Sequence, residues 1–371
     1  MVCAIVDFNV GLCYKLDIRK TLWKNDMVNI HHIQYPVGQG GLHLGIIGEC
    51  AYIYDCGGYS NTVNWNKILY DIILKTSNCH DLHIFISHWH QDHYNHLAEL
   101  LGIIASDKLR IHIYDTFTDI KTKDNCNKNL EKIMYICEYM LNNENEFFNE
   151  YANIIINHIF ADEKILHKNV TYEKDFKALD KNLPDDIILK PYITHVEEKD
   201  SDKFKQALKN VGIFDKIENL ENLIQDTAFW NSCVRAYKET FKHQNKAYVN
   251  HQVMLCLYCG HKNMVCCRDR VSWLHTGDAR LKSKNNLENL ISEFNFLLSN
   301  VYFAQIPHHC SKYNYDDKFI CIFKCCCNFY YTTQKDNNKC KKIVVPYLEI
   351  FLQRLRKFSP VSDKELSKIE I

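Results

Sequence analysis

The chain has 371 residues, with 45 basic against 45 acidic side chains, 46% hydrophobic and 12% aromatic residues. That balance excludes a strongly basic nucleic-acid coat and an acidic tail protein, though not a local basic groove. The apolar content excludes a disordered chain, and at roughly 150 residues per domain the length suits two domains or one large domain with insertions. No run of about 18 apolar residues predicts a membrane span, and the opening stretch MVCAIVDFNVGLCYKLDIRK lacks the pattern of a secretory leader. A cytoplasmic protein without membrane contact is therefore expected. Its eighteen cysteines are read as reduced thiols, most of them small buried apolar residues.

In chain order, residues 29 to 60 read as β-structure: NIHHIQYPV, then LHLGIIG, then CAYIYDCGG, with glycine turns at VGQGG and CGG. Seven of the twelve glycines fall between Gly38 and Gly58, so the most demanding turns are expected there. Residues 64 to 78 repeat apolar positions at helical spacing. DLHIFIS is a short buried strand, HLAELLGIIAS a helix and LRIHIYD another strand. From 117 to 245 the chain turns polar and mostly helical, an insertion around one or two strands such as DDIILKPYITHV. The β-pattern returns with VNHQVMLCLYC and MVCCRDRVSWLHTGD. LENLISEFNFLLS follows as a helix, then the strands VYFAQIPHHC and FKCCCNFYYTT. A closing helix and tail cover 346 to 371. A single domain over 1 to 371 with one insertion accounts for this order.

The segment His88 to His93 carries the chemistry. HWHQDH places three histidines and one aspartate in six residues directly after an apolar strand. Imidazole and carboxylate suit zinc, manganese or iron. On a loop, His88 and His90 can point one way and Asp92 and His93 another, an arrangement able to hold two cations. The bland alternative is a His-rich surface loop. Cys256 and Cys259, followed by Cys266 and Cys267, suggest a zinc ribbon, but in a strand the first two lie on opposite faces. VGQGG precedes no helix and is no dinucleotide fingerprint. Trp89, Tyr94 and Tyr59 could stack on a base, or simply pack.

HxHxDH is the signature of the metallo-β-lactamase fold, and the chain resembles that family in motif order. YPVGQGG, IYDCGG, SHWHQDH, WLHTGD and IPHHCSK resemble the metallo-β-lactamase domain of the competence protein ComEC and its soluble relatives. Gly41 stands where that pattern has aspartate, and Cys310 where it has glycine. The resemblance implies a four-layer αββα sandwich of α/β class and two divalent cations, zinc first, with manganese or iron as alternatives. It implies His88, His90, Asp92 and His93 as ligands, Asp278 bridging both cations, and His308 or His309 as the last ligand. Asp55 would hydrogen-bond within the ligand loop rather than bind metal. A third histidine for the first cation should come from His112, His158, His167, His195, His243 or His251. His195 is preferred because it ends a strand.

Two cations about 3.5 to 4 Å apart lower the pKa of a bridging water and hold it as hydroxide. Asp92 would orient that nucleophile. His308, if not a ligand, would protonate the leaving group, and Ser311 and Lys312 would contact a phosphate. The expected activity is a phosphodiesterase or nuclease acting on nucleic acid or a nucleotide, by family analogy in defence or repair. The alternatives are hydrolysis of a carbon ester, thioester or lactam, and a non-catalytic metal-binding sensor or subunit whose insertion binds a protein partner.

Overall fold

A computed structural model of the chain describes residues 30–59, 63–104, 109–116, 118, 125–142, 169–173, 175–180, 183–223, 226–241, 253–263, 272–311, 313–315, 317–323, 327–333, 358–362 and 369–370. The strands are β1 (Ile30–Gln34), β2 (Gly40–Ile47), β3 (Cys50–Gly58), β4 (Asp81–Phe85), β5 (Arg110–Tyr114), β6 (Val170–Tyr172) and β7 (Ile187–Ile193). They continue with β8 (Leu255–His261), β9 (Ser272–His275), β10 (Val301–Gln305), β11 (Asn328–Thr333), β12 (Phe358–Ser362) and β13 (Ile369–Glu370). One sheet runs β13-β1-β2-β3-β4-β5-β6, the other β12-β11-β10-β9-β8-β7. From β3 to β6 neighbours are parallel, and so are β9 to β12. Parallel strands covered on both faces require continuous burial, which explains why every residue of β4 is buried.

The two sheets face each other across an apolar layer. Alternate residues of β8 show it: Leu255, Leu257 and Cys259 join the core of the first sheet. Met254, Cys256 and Tyr258 face the opposite way. Helix α1 (Trp65–Thr76) starts at Asn64, whose side chain accepts the Lys67 N–H, and it buries Leu69 and Ile72. Together with a helix over Leu97–Ile104 it covers the first sheet. A helix over Lys284–Phe294 lays Leu287, Leu290 and Phe294 on the outer face of the second. The layers therefore run α/β/β/α, the expected sandwich. Cys256 and Cys259 take opposite faces of β8, and among the described cysteines only Cys321 is exposed.

Three helices of the 117–245 stretch, Asn125–Asn142, Glu198–Asn210 and Thr227–Phe241, form a small core of their own around Leu130, Phe204, Leu208, Trp230 and Tyr237. The strands β6 and β7 from the same stretch instead edge the two sheets. Residues 143–168 of the expected helical insertion, and 346–357 of the closing helix, lie outside the described residues. In the expected tail, 358–362 and 369–370 are strands, each completing the outer edge of a sheet. Backbone groups at a sheet edge gain partners that way. Among the described residues, no helix is long and apolar enough to cross a membrane.

The layer between the sheets also holds a polar network. His32, His43 and His275 are fully buried there. His32 Nδ1 lies 3.1 Å from His43 Nε2, and His43 Nδ1 lies 3.3 Å from Gln34 Oε1. Tyr52 Oη joins His32 at 3.2 Å and His275 at 3.1 Å, and Tyr330 Oη meets His275 Nδ1 at 2.9 Å. Burial first, then the neighbouring imidazoles, holds His43 and His275 well below the ordinary value of 6.5. They remain neutral when folded, whereas unfolded histidines protonate below pH ~6.5. The unfolded chain then binds more protons, so this network's contribution is full above that pH and is lost as pH falls. Urea midpoints should drop between pH 7.5 and 5.5, and drop less in His43→Gln. Parallel pH curves for the two proteins would contradict this.

Candidate metal centre

The carboxyl ends of β3, β4, β9 and β10 converge at one rim of the sandwich. Asp55, near the end of β3, has φ 59°. Its Oδ1 accepts the Ser87 N–H at 2.7 Å; its Oδ2 accepts Ser87 Oγ–H at 2.9 Å and His93 Nδ1–H at 2.7 Å. Asp55 thereby fixes the loop after β4 and turns His93 Nε2 into the rim, where that buried atom makes no hydrogen bond. The glycines explain the close fit. A Cβ on Gly40, at φ +135°, would stand 2.3 Å from the Asp92 carbonyl; one on Gly277, at φ +51°, would stand 2.7 Å from Ser87 Cβ. A Cβ on Gly41 would lie 2.8 Å from Asp55 Oδ2, so a side chain there would press on Asp55.

Asp278, just beyond β9, sits at the centre. Its Oδ2 is 3.8 Å from His88 Nε2 and 3.6 Å from His308 Nε2. Its Oδ1 is 3.6 Å from His93 Nε2 and 3.9 Å from His309 Nε2. Asp92 Oδ2 lies 3.8 Å from His93 Nε2 and 3.5 Å from His309 Nε2. His90 stands edge to face with His88 at 4.5 Å between ring centroids. Among the described residues, two groups could hold a cation: His88, His93 and Asp278, and Asp92, His93 and His309.

The charges are consistent with that packing. Burial would lower the His93 imidazole, but Asp55, Asp92 and Asp278 hold it at about 10. Burial brings His90 down to about 4. His309 is raised against its own burial by Asp278 and Asp92. Burial would raise Asp92, yet His93, His309 and His90 draw it below the carboxylate range. In Asp55 burial prevails and the pKa rises, despite His93 and Ser87.

The turn after β10 is held in an unusual backbone. His308, His309 and Cys310 have φ of 49°, 51° and 67°. The left-handed region costs non-glycine residues about 1–2 kcal/mol each, so neighbours must hold it. His308 N–H donates to the Gly277 carbonyl at 3.1 Å, and Ser311 N–H to the His308 carbonyl at 2.8 Å. Gln305 Oε1 accepts the N–H groups of Thr276 and Gly277 at 3.0 and 3.1 Å, tying the ends of β9 and β10 together. Neither Gln305 nor Asn314, which bridges the two loops, belongs to a ligand motif, and sequence reasoning missed both.

His88, His90, Asp92, His93, Asp278, His308 and His309 are thus brought together. His195 is not: its Nδ1 faces Glu131 Oε2 at 3.4 Å on the helical insertion, and its side chain is 46% exposed. Ser311 is fully buried, and its Oγ accepts the Tyr313 N–H at 3.3 Å, so it serves the turn rather than a substrate. Lys312 lies outside the described residues. Trp89 and Tyr94 are buried, and Trp89 Nε1–H donates to Asp115 at 2.9 Å; both pack rather than await a base. Tyr59 is exposed, with its Oη 3.2 Å from Gln91 Oε1. The insertion reaches the ligand loop through Tyr135, whose Oη accepts the Trp89 N–H.

The donors fit divalent cations. The nitrogen-to-oxygen gaps exceed ordinary hydrogen bonds. Two atoms ~2.0–2.2 Å from one zinc stand about 3.3–3.6 Å apart at tetrahedral angles. His93 Nε2, buried without a hydrogen bond, is the kind of atom such an ion would satisfy. No family model matches the sequence, and no curated protein does. Among solved structures, the chain is similar to YhfI of Bacillus subtilis, a metallo-β-lactamase fold protein. That match has 10% identity, 85% of this chain, 77% of that one and a TM-score of 0.31. It is also similar to unliganded yeast PDE1, with 10% identity, 90% of this chain, 98% of that one and a TM-score of 0.43.

Asp55→Ala should lower cation affinity about 10–100-fold, because His93 loses the bond that orients it. Titration against a chromophoric chelator measures this. Unchanged affinity in a folded variant would contradict the assignment.

Proposed function

We propose that the chain is a hydrolase using two divalent cations, zinc first with manganese or iron as alternatives, and that its substrate is a phosphodiester in nucleic acid or a nucleotide. The observation that supports it is the division of Asp278: one carboxylate oxygen faces His88 and His308, the other His93 and His309. A carboxylate so placed would suit a bridge between two cations, with His88, His90 and His308 on the Oδ2 side and Asp92, His93 and His309 on the Oδ1 side. When bound, such cations supply Lewis acidity and a water of near-neutral pKa as nucleophile.

The chain's own residues divide the remaining work. Asp92 orients the nucleophile from the buried side. His308, 23% exposed where His309 is 7% exposed, lies toward solvent with its Nε2 3.6 Å from Asp278 Oδ2, and would complete the donor set from the solvent side. Beyond Asp278 the chain carries Arg280, Lys282 and Lys284, of which Lys282 and Lys284 are exposed. Arg280 lies 4.0 Å from Glu197 and Lys284 3.7 Å from Glu288, so this stretch is already partly neutralised.

Protein loaded with zinc or manganese should release product from single-stranded or duplex nucleic acid, or from phosphodiester dyes. Chelation should abolish release, and Asp278→Asn should lower kcat by about 100-fold or more. No product from any of these, while carbon esters, thioesters or lactams are cleaved, would overturn the substrate assignment. No hydrolysis at all from a metal-loaded protein would overturn the enzyme.

A further inference from the structure

Asn314 is fully buried and lies five residues beyond His309, the nearest candidate ligand in the chain. Its Nδ2–H donates to the Asp278 carbonyl at 2.7 Å, and its Oδ1 lies 2.8 Å from His308 Nδ1. Its backbone carbonyl accepts the Lys282 N–H at 2.7 Å, and its N–H donates to the Ser311 carbonyl at 3.0 Å. One side chain thus touches the residue that divides the site and the histidine on its solvent side. The amide's orientation follows from its partners: a carbonyl can only accept, so the NH2 group must face Asp278. The oxygen then faces His308, and an amide oxygen can only accept, so Nδ1 must carry the hydrogen. The neutral ring therefore presents a lone pair at Nε2, the atom 3.6 Å from Asp278 Oδ2.

We infer that Asn314 is a positioning residue. It selects the Nδ1–H tautomer of His308 and locks that ring to the Asp278 loop, so that Nε2 faces the cation pair with a lone pair. The turn itself demands such a hold. Residues 308 to 310 sit in left-handed backbone, a conformation that persists only where surrounding bonds over-determine it. A purely structural asparagine would need only its backbone bonds and the bond to Asp278. The bond to His308 is the part that reaches the site. The inference rests on the reading of the rim as a cation centre.

The test is a double-mutant cycle on the purified full chain, using cobalt(II) as the probe. Affinity and the visible absorption spectrum are measured for wild type, Asn314→Ala, His308→Ala and the double variant. Imidazole 15N shifts report the His308 tautomer in the metal-free wild type and Asn314→Ala. If Asn314 acts through His308, each single variant weakens cobalt binding about 10–100-fold and alters the spectrum alike. The double variant is then no worse than either single one. Asn314→Asp, which keeps an acceptor for Nδ1, should restore the tautomer and most of the spectrum. Should Asn314→Ala fail to fold, that variant carries the test: retention of the Nδ1–H tautomer supports the inference and its loss overturns it. Additive losses, or an unchanged tautomer in Asn314→Ala, overturn the inference while leaving the cation centre standing. A wild type that binds no cobalt overturns the cation centre and this inference with it.

Discussion

Three carboxylates, Asp55, Asp92 and Asp278, are buried together at one rim of the sandwich, and a buried charge persists only if it is paired. The rest of the site answers to that requirement. His93 stands among all three, and His309 stands between Asp92 and Asp278. In the cation-free chain the carboxylates favour protons on these imidazoles, holding His93 at about 10 and raising His309. Divalent cations would supply positive charge with the same donors and displace those protons, so cation affinity and protonation are linked.

Gathering such charges requires the sheets to hold four strand ends in register. Tyr54 Oη–H donates to the Leu255 carbonyl at 2.6 Å, and Leu255 N–H donates to the Ser87 carbonyl at 3.0 Å, joining the two sheets directly beneath the ligand loop. Glycine allows the hairpin backbone to press against the Asp92 carbonyl, and Gln305 clamps the turn that carries Asp278. The left-handed run at His308 to Cys310 then aims two successive histidines at one carboxylate. In extended backbone, successive side chains would point to opposite faces.

Much of this was legible in the sequence because the ligands arrive in compact motifs at the ends of apolar strands. HWHQDH, TGD and PHH can each be read locally, and the layer order follows from apolar runs alternating with helical spacing. What was not legible depends on contacts between distant segments. His195 lies two residues past the end of β7, but β7 is an edge strand, and Glu131 of the helical insertion faces the ring. Ser311 looked available beside two histidines, yet the turn folds it inward. Gln305 and Asn314 act through amide groups that no spacing rule marks. The buried His32, His43 and His275 network was not legible, because it assembles from separate strands of each sheet and is joined across the layer only where Tyr52 meets His275. The tail strands depend on pairing partners more than 20 residues away in sequence.

The central claim is that Asp278 stands between two cations, and anomalous diffraction collected at a metal absorption edge tests it most directly. Crystals of zinc-loaded protein should show two peaks about 3.5–4 Å apart, one beside His88 and the other beside Asp92, His93 and His309, with Asp278 between them. A single peak that leaves one Asp278 oxygen uncoordinated, or none at this rim, would contradict the account.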